Sequence, residues 1–482
     1  MAARAIWTPQ QKQIDFMSRR EYEVLYGGAA GGGKSDALLA EGLRQVDIPH
    51  YRGIIFRRTY PQLTELIDRS AEIYKPAFKG ARFNDNKHVW TFPSGAKIFL
   101  GAMQHEKDRK NYQGKRYDYI GFDELTHFTW KQYSYMFSRN RPSGAGTRVY
   151  MRASTNPGGV GHAWVKSRFI EPFKPYESYP ETVDVMVPGG QVIKMTRYRT
   201  FINSSVFDNQ ILLKNDPQYL ASLAMLPEAE MKALMYGDWN SFQGQAFPEF
   251  RDDTAAYYTR KFTHVIEGFP IPPTWRRFRS FDWGYSKPYS VAWYAMDHDG
   301  ILYRYREMYG STGEPNVGSK ETPQQIAMKI RDIEEEHEKG LFVQGYADPS
   351  IFDAQTGESI ADSMAKYRVY WEPSDNKRLP GKMQCHYRLA FDEEGRPMFY
   401  VFRDENPHFI RTIPSQVYSE THPEDIDTDG EDHIYDEWRY MCAMNPIAPR
   451  RNVLQKVPEY NPLTDYSKSS GFYDRHRGFM NS

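Results

Sequence analysis

Between residues 28 and 35 the chain reads Gly-Ala-Ala-Gly-Gly-Gly-Lys-Ser, with Gly28 and Gly33 at the fixed positions of a phosphate-binding loop and Lys34 and Ser35 directly after. Each residue type has a task there. Gly28, Gly31, Gly32 and Gly33 let consecutive backbone N–H groups curl around phosphate oxygens, and the following helix offers its positive end. Lys34 reaches the β- and γ-phosphates, and the Ser35 hydroxyl is a ligand for Mg²⁺. Such a loop needs an acidic partner, which Ile120-Gly-Phe-Asp-Glu124 supplies at the end of a strand. Asp123 is the Mg²⁺-side carboxylate and Glu124 the general base that polarises a water in line with the γ-phosphate. Ser154-Thr-Asn156 follows another strand, where polar side chains can sense the γ-phosphate, although Asn156-Pro-Gly-Gly159 is equally a turn signal.

A second set of acids is dispersed. Asp282 falls within a strand, Asp348 at the end of another, and Asp432, His433 and Asp436 on one expected helix. Asp432 and Asp436 are i, i+4 neighbours and His433 and Asp436 i, i+3, so that helix can present them together toward acids at adjacent strand ends. Oxygen-rich ligands of this kind suit Mg²⁺ or Mn²⁺, and two such ions can activate a water and stabilise the leaving oxygen of a phosphodiester.

The elements that must position these groups follow from the hydrophobic pattern. The first 160 residues alternate strand and helix. Strands are expected at Tyr22–Tyr26, Gly53–Phe56, Tyr117–Phe122 and Arg148–Arg152, a helix runs through Ala37–Ala40, and a hairpin turns around Pro93-Ser-Gly95. A second hairpin lies in Val183–Ile202, and Pro217–Tyr236 reads as helical. From Arg277 the rhythm restarts with three antiparallel strands, Arg277–Trp283, Tyr289–Met296 and Ile301–Met308. A helix over Thr322–Glu338, a strand ending at Asp348, and helices near Ser359–Lys366 and Asp432–Met444 complete this part. The pattern implies an α/β protein with a buried, mostly parallel first sheet.

With 482 residues, 40% hydrophobic and 26% charged, the chain is long enough for two or three domains. No apolar run reaches the roughly 18 residues that span a bilayer, and the start lacks the apolar region of a signal peptide, so no membrane association is expected. Two cysteines, Cys385 and Cys442, are too few for a disulfide framework and fit a reducing cytoplasm. Net charge is zero, but residues 1–250 hold 33 Lys/Arg against 25 Asp/Glu and the remainder 29 against 37. Nine acids fall between Glu420 and Glu437 with no Lys or Arg among them. A basic first half can follow a phosphate backbone, and crowded carboxylates are what divalent cations need.

In this order Trp7-Thr-Pro-Gln-Gln11, Gly28–Ser35, Phe122-Asp-Glu124, Ser154-Thr-Asn-Pro157, Gly237-Asp-Trp239, Asp282-Trp-Gly284, Ala347-Asp-Pro349 and Glu431–Tyr440 span about 430 residues. The set resembles the large terminase subunit of tailed bacteriophages. The resemblance implies an additional-strand P-loop ATPase domain over 1–240 and a ribonuclease H-like nuclease domain over 263–446; the residue pattern adds a linker over 241–262 and the polar composition a flexible tail over 447–482. It further implies ATP with Mg²⁺ at the first site and two Mg²⁺ or Mn²⁺ at the second. Gln11 resembles the adenine-contacting glutamine, Thr155 and Asn156 the coupling segment, and Asp282, Asp348 and Asp436 the nuclease ligands, with Asp432 and His433 beside them. The implied partners are double-stranded DNA, a portal protein, a small terminase subunit and further copies of the chain in a ring of five. The implied setting is the host cytoplasm, with transient docking on the procapsid and absence from the mature virion.

One departure stands out. Where the family often has an Arg-Gly pair before the acidic strand end, this chain has Gln113-Gly114, with Arg109, Arg116, Arg139 and Arg141 nearby. Arg57 and Arg58 are further candidates for phosphate contact. Three other classes stay open at this point: a helicase-like ATPase whose acidic domain is a scaffold, a recombinase or transposase, and a structural portal accessory.

Overall fold

The computed structural model describes residues 6–450 other than 189, 227, 241, 243, 355–356, 420–421 and 429. Most of the expected tail, from residue 451 on, lies outside the described residues. After a short helix α1 (Gln11–Ser18) come β1 (Glu23–Gly28), α2 (Lys34–Gly42), β2 (Arg52–Arg57) and a long helix α3 (Tyr60–Ala77). Then follow β3 (Arg82–Asn84), β4 (Val89–Thr91), β5 (Lys97–Ala102), β6 (Tyr119–Phe122), β7 (Tyr150–Thr155), β8 (Tyr179–Met186) and β9 (Val192–Ser204).

These nine strands form one sheet in the order β3-β4-β5-β2-β6-β7-β1-β9-β8. The six central strands from β5 to β9 run parallel to one another, and the flanking pairs β4–β5 and β8–β9 are antiparallel. β1, β6 and β7 are buried along their whole length, so both faces are covered and the sequence reads as unbroken apolar runs. One core, with Leu38, Ile55, Leu63, Trp90 and Ile98, fills the face under α2 and α3; the other, with Ile54, Phe122, Tyr133 and Trp164, fills the opposite face. The β8–β9 hairpin departs from this rule: its register pairs Val183 with Met195 and Val185 with Ile193, and Val183, Met186, Val192 and Met195 are all at least half exposed.

The second sheet contains β10 (Val265–Ile266), β11 (Arg276–Asp282), β12 (Ser290–Met296), β13 (Leu302–Tyr309), β14 (Val343–Ala347), β15 (Glu372–Pro373) and β16 (Phe399–Phe402). Its order is β10-β16-β13-β12-β11-β14-β15, with β11–β12–β13 antiparallel and β11–β14 parallel. Its main helices are α4 (Pro323–His337), α5 (Arg378–Leu389) and α6 (His433–Met444). α6 is buried from His433 to Cys442, and its Ile434, Trp438 and Met441 pack on one face of the sheet.

Several expectations shift in detail. The stretch expected as a linker anchors Phe247, Phe250 and Tyr257 in the second core. The helical stretch before it is broken into Tyr219–Ala224, Glu228–Met231 and a wider turn at Lys232–Tyr236. Asp432 is the residue preceding α6 rather than part of it. Among the described residues no helix is long and apolar enough to cross a membrane.

Candidate functional site

The first site gathers at the C-terminal ends of parallel strands, where an α/β sheet leaves its crevice. β2 delivers Arg57, β6 delivers Asp123 and Glu124, β7 delivers Ser154, Thr155 and Asn156, and β1 opens into the glycine loop. The loop is pinned on both sides. Ala29 N–H donates to Ser204 O at 2.9 Å and Ala30 N–H to Leu234 O at 2.8 Å. Gly28 has φ +136°, and a Cβ there would lie 2.0 Å from Ser204 O, so only glycine fits.

Lys34 is 6% exposed. Its Nζ donates to Asn156 Oδ1 at 2.9 Å and to the Ala29 carbonyl. Burial depresses its pKa, and the carboxylates of Glu124 and Asp123 oppose that shift. Asn156 also turns to Glu124: its backbone N–H donates to Oε2 at 3.1 Å and its Nδ2 to Oε1 at 3.0 Å. Glu124 itself sits at φ 57°, a left-handed conformation uncommon for a residue with a Cβ and often found where a site dictates backbone shape. Ser35 Oγ lies 3.1 and 3.2 Å from the two oxygens of Asp123, which also accepts from Ser154 Oγ and pairs with Arg57 Nε at 2.7 Å. A hydroxyl and a carboxylate side by side, at the foot of a phosphate cradle, fit the oxygen ligands of Mg²⁺.

The structure brings together Gly28, Gly31, Gly32, Gly33, Lys34, Ser35, Asp123, Glu124 and Asn156. It does not bring Gln11 to them: that side chain is exposed and donates to Asp15 Oδ1 at 2.8 Å on its own helix. The helix places neighbours at the loop instead. Gln13 Nε2 donates to Gly33 O at 2.7 Å, and Gln10 Nε2 to Asn209 Oδ1 at 2.7 Å, with Asn209 in turn on the Gly31 carbonyl. The 3.6-residue period, which turns Gln10 and Gln13 to one face and Gln11 away, is the signal that would have found them. Arg58 donates to His127 O at 2.9 Å and Gln132 Oε1 at 3.1 Å, a bracing role.

The second site joins the ends of β11 and β14 with the first turns of α6. Asp282 is 8% exposed and its Oδ2 lies 3.0 Å from His433 Nδ1. Asp348 accepts from Ser350 N–H at 2.6 Å and from the Tyr440 hydroxyl. Asp436 Oδ1 accepts from Arg439 Nε at 3.0 Å and from Arg378 Nη1 at 3.2 Å. Burial, then the neighbouring charges of Asp436 and Asp348, push the Asp282 carboxyl well above its usual range. Burial likewise pushes Asp432 up to about 7, with His433 acting the other way. Burial alone would raise Asp348, but its bonds from Tyr440 and Ser350 hold it below the usual value.

Among the described residues no three His, Cys, Asp or Glu side chains already stand in a metal-holding arrangement. The donor set nevertheless fits a hard cation. The charges of Asp436 and Asp348 destabilise the ionised Asp282 carboxyl, and Asp432 Oδ1 is buried with no hydrogen-bond partner. Arg378, Arg439 and Tyr440, which neutralise or cap two of these acids, were not visible as site residues in the sequence.

A family model for the N-terminal domain of the T4-like-virus-type terminase large subunit matches residues 25–252. No curated protein matches the chain. Among solved structures, the large terminase of a thermophilic bacteriophage is 16% identical, with 91% of this chain and 99% of that chain covered at a TM-score of 0.37. The large terminase of bacteriophage HK97 is 10% identical, covers 91% and 95%, and has a TM-score of 0.47. The nuclease domain of the P22 large terminase is 16% identical over 41% of this chain and 91% of that chain, at 0.31. Residues 25–252, which hold everything from the glycine loop to Asn156, are thus similar to the N-terminal domain of the T4-like-virus-type terminase large subunit.

Proposed function

We propose that this chain is a viral DNA-packaging motor: ATP hydrolysis at the first site drives double-stranded DNA into a procapsid, and an endonuclease at the second cuts concatemers when packaging starts and ends. The observation that carries the reading is the single amide of Asn156 joining Lys34 to Glu124, because it ties the group that holds the γ-phosphate to the group that activates water. In this reading the loop amides and Lys34 bind and orient the phosphates, Glu124 takes the proton of the attacking water, and Asn156 reports the loss of the γ-phosphate. Ser35 and Asp123 would hold Mg²⁺, which would supply charge neutralisation to the phosphates.

At the second site Asp282, Asp348 and Asp436, with Asp432 and His433 beside them, would hold two Mg²⁺ or Mn²⁺. Bound there, the ions supply a nucleophilic water and a counter-charge for the leaving oxygen. We place the ATPase domain at 1–240, the nuclease domain at 263–446 with the segment before it packed on its core, and a partner-binding tail at 447–482. DNA is gripped mainly through phosphates and hence with little regard to sequence. A portal protein, a small terminase subunit and a ring of five copies complete the machine, which works in the host cytoplasm, docks on the procapsid and leaves before the virion matures.

The arginines on Asp436 favour one alternative, a helicase-like ATPase whose acidic domain only binds. A single experiment separates the two: plasmid cleavage with Mn²⁺ or Mg²⁺ and DNA-dependent ATP hydrolysis, measured in the same preparations of wild type, Lys34→Ala, Asp282→Ala and Asp348→Ala. The packaging reading requires loss of cutting with retained ATPase in the two aspartate variants and loss of ATPase in Lys34→Ala. A wild type that hydrolyses ATP and cuts with neither metal supports the alternative.

A further inference from the structure

The loop between β13 and α4 touches both halves of the molecule. Asn316 stands in it at φ 57°, a left-handed position that asparagine tolerates better than most residues. Its amide is fixed at both ends: Nδ2 donates to the Gly430 carbonyl at 2.7 Å, and Oδ1 lies 3.2 Å from His433 Nε2. A carbonyl only accepts, so the Gly430 contact decides which end of the amide faces the imidazole. Oδ1 also only accepts, so His433 Nε2 must carry the hydrogen. In the neutral ring this leaves the lone pair on Nδ1, the atom 3.0 Å from Asp282 Oδ2. Two acceptors at that distance require a cation between them, either a proton or a metal ion.

The same loop is seated on the first domain. Glu314 lies close to Trp130 and in the field of Arg168, and burial raises its carboxyl above the usual value. Val317 packs against the core that contains Phe122, Phe128 and Trp130.

We propose that Asn316 is a positioning residue for the second site: it sets the His433 tautomer that turns Nδ1 toward Asp282 as a ligand atom, and the docking of its loop on the first domain holds it there. The inference rests on the reading of Asp282 as a metal ligand given above. Outer hydrogen-bond partners of this kind orient ligating imidazoles and fix which nitrogen is free.

The test uses the full chain and three readouts: Mn²⁺ binding by titration calorimetry, the Mn²⁺ concentration for half-maximal plasmid cleavage, and the imidazole nitrogen shifts of His433 in histidine-labelled protein, assigned with His433→Gln. Asn316→Gly keeps the left-handed backbone and deletes the amide. It is expected to bind Mn²⁺ about tenfold more weakly, to need correspondingly more metal for cleavage, to lose the Nε2–H signature, and to hydrolyse ATP as the wild type does. Asn316→Asp, which keeps the acceptor, is expected to restore the tautomer. Glu314→Ala should move all three readouts in the direction of Asn316→Gly. A wild-type tautomer and Mn²⁺ affinity in Asn316→Gly would overturn the role of Asn316. Wild-type values in Glu314→Ala beside a loss in Asn316→Gly would overturn the seat on the first domain. If the wild type neither binds Mn²⁺ nor cuts, the reading of Asp282 falls instead, and the tautomer measurement, which needs no metal, still decides Asn316.

Discussion

Asn156 grips Glu124 twice, through its backbone N–H at 3.1 Å and its Nδ2 at 3.0 Å, and so presents the carboxylate in one orientation. Replacing it with alanine removes the side-chain half of that grip and the acceptor for Lys34. We expect Asn156→Ala to lower the turnover of ATP roughly 100-fold, the scale of a misplaced general base, while ADP affinity by fluorescence titration changes far less. Equal losses in turnover and affinity would show that Asn156 serves binding and not the orientation of Glu124.

Gly237 closes the broken helical stretch at φ +71°, and a Cβ there would lie 2.7 Å from Gly28 Cα. Gly237→Ala combines a left-handed penalty of about 1–2 kcal/mol with a push on the first residue of the phosphate loop. The expected result is a lower melting temperature together with weaker nucleotide binding. Loss of stability with unchanged nucleotide affinity would show that the loop absorbs the push.

His162 is buried, accepts from Gly158 N–H at 2.9 Å and lies against Trp239 and Phe242. Burial, followed by the charge of Lys166, depresses its pKa from 6.5 to about 3. The unfolded chain therefore binds this proton first. The stabilisation it gives is complete above about pH 6.5 and is lost as pH falls toward 3, with a total of about 5 kcal/mol. Thermal unfolding of wild type and His162→Gln between pH 7 and 4 checks this: the variant should lose part of the acid dependence. Parallel curves would assign the acid sensitivity to other groups.

Arg304 and Glu437 are both fully buried and paired; Tyr294 Oη donates to Glu437 Oε1 at 2.8 Å, and Arg304 Nη1 lies 2.7 Å from that hydroxyl. Removing one partner leaves a charge without compensation. Arg304→Met alone is expected to cost about 3–5 kcal/mol, and Arg304→Met with Glu437→Leu less than the sum of the two single changes. Additive losses in denaturant unfolding would contradict the coupling.

The parts of the fold legible in the sequence are those written locally. The glycine loop, the strand carrying Ile120–Phe122 and the α6 acids each declare themselves within a few residues, through turn chemistry, apolar runs and helical spacing. The hydrophobic pattern names no helix over α3, whose proline lies in the first turn after the cap Thr59. Nor does it name helix α5, which holds Pro380-Gly381 in its first turns, with the Arg439 side chain crossing closely at Gly381. Strand order, and partners such as Asn209 for the loop or Asn316 for His433, join residues more than 100 positions apart in the chain. No local pattern carries such pairings. Gln11 shows the converse: a motif position resembling a family contact is turned outward by the helix on which it stands.

The parallel order β2-β6-β7-β1 has a consequence for how the first site tolerates change. Its working groups hang from adjacent strands, so their separations are multiples of an inter-strand spacing of about 4.8 Å, a ruler set by backbone pairing and independent of the loops. Lengthening the chain between Arg58 and Lys97 or between Ile170 and Tyr179 leaves that ruler untouched. A one-residue slip of a single strand, by contrast, would carry its acid, amide or glycine out of reach together with every side chain that packs the core. Alignment of the proposed site and folding are thus the same event for this half of the molecule, and a half-assembled site has no stable sheet on which to exist.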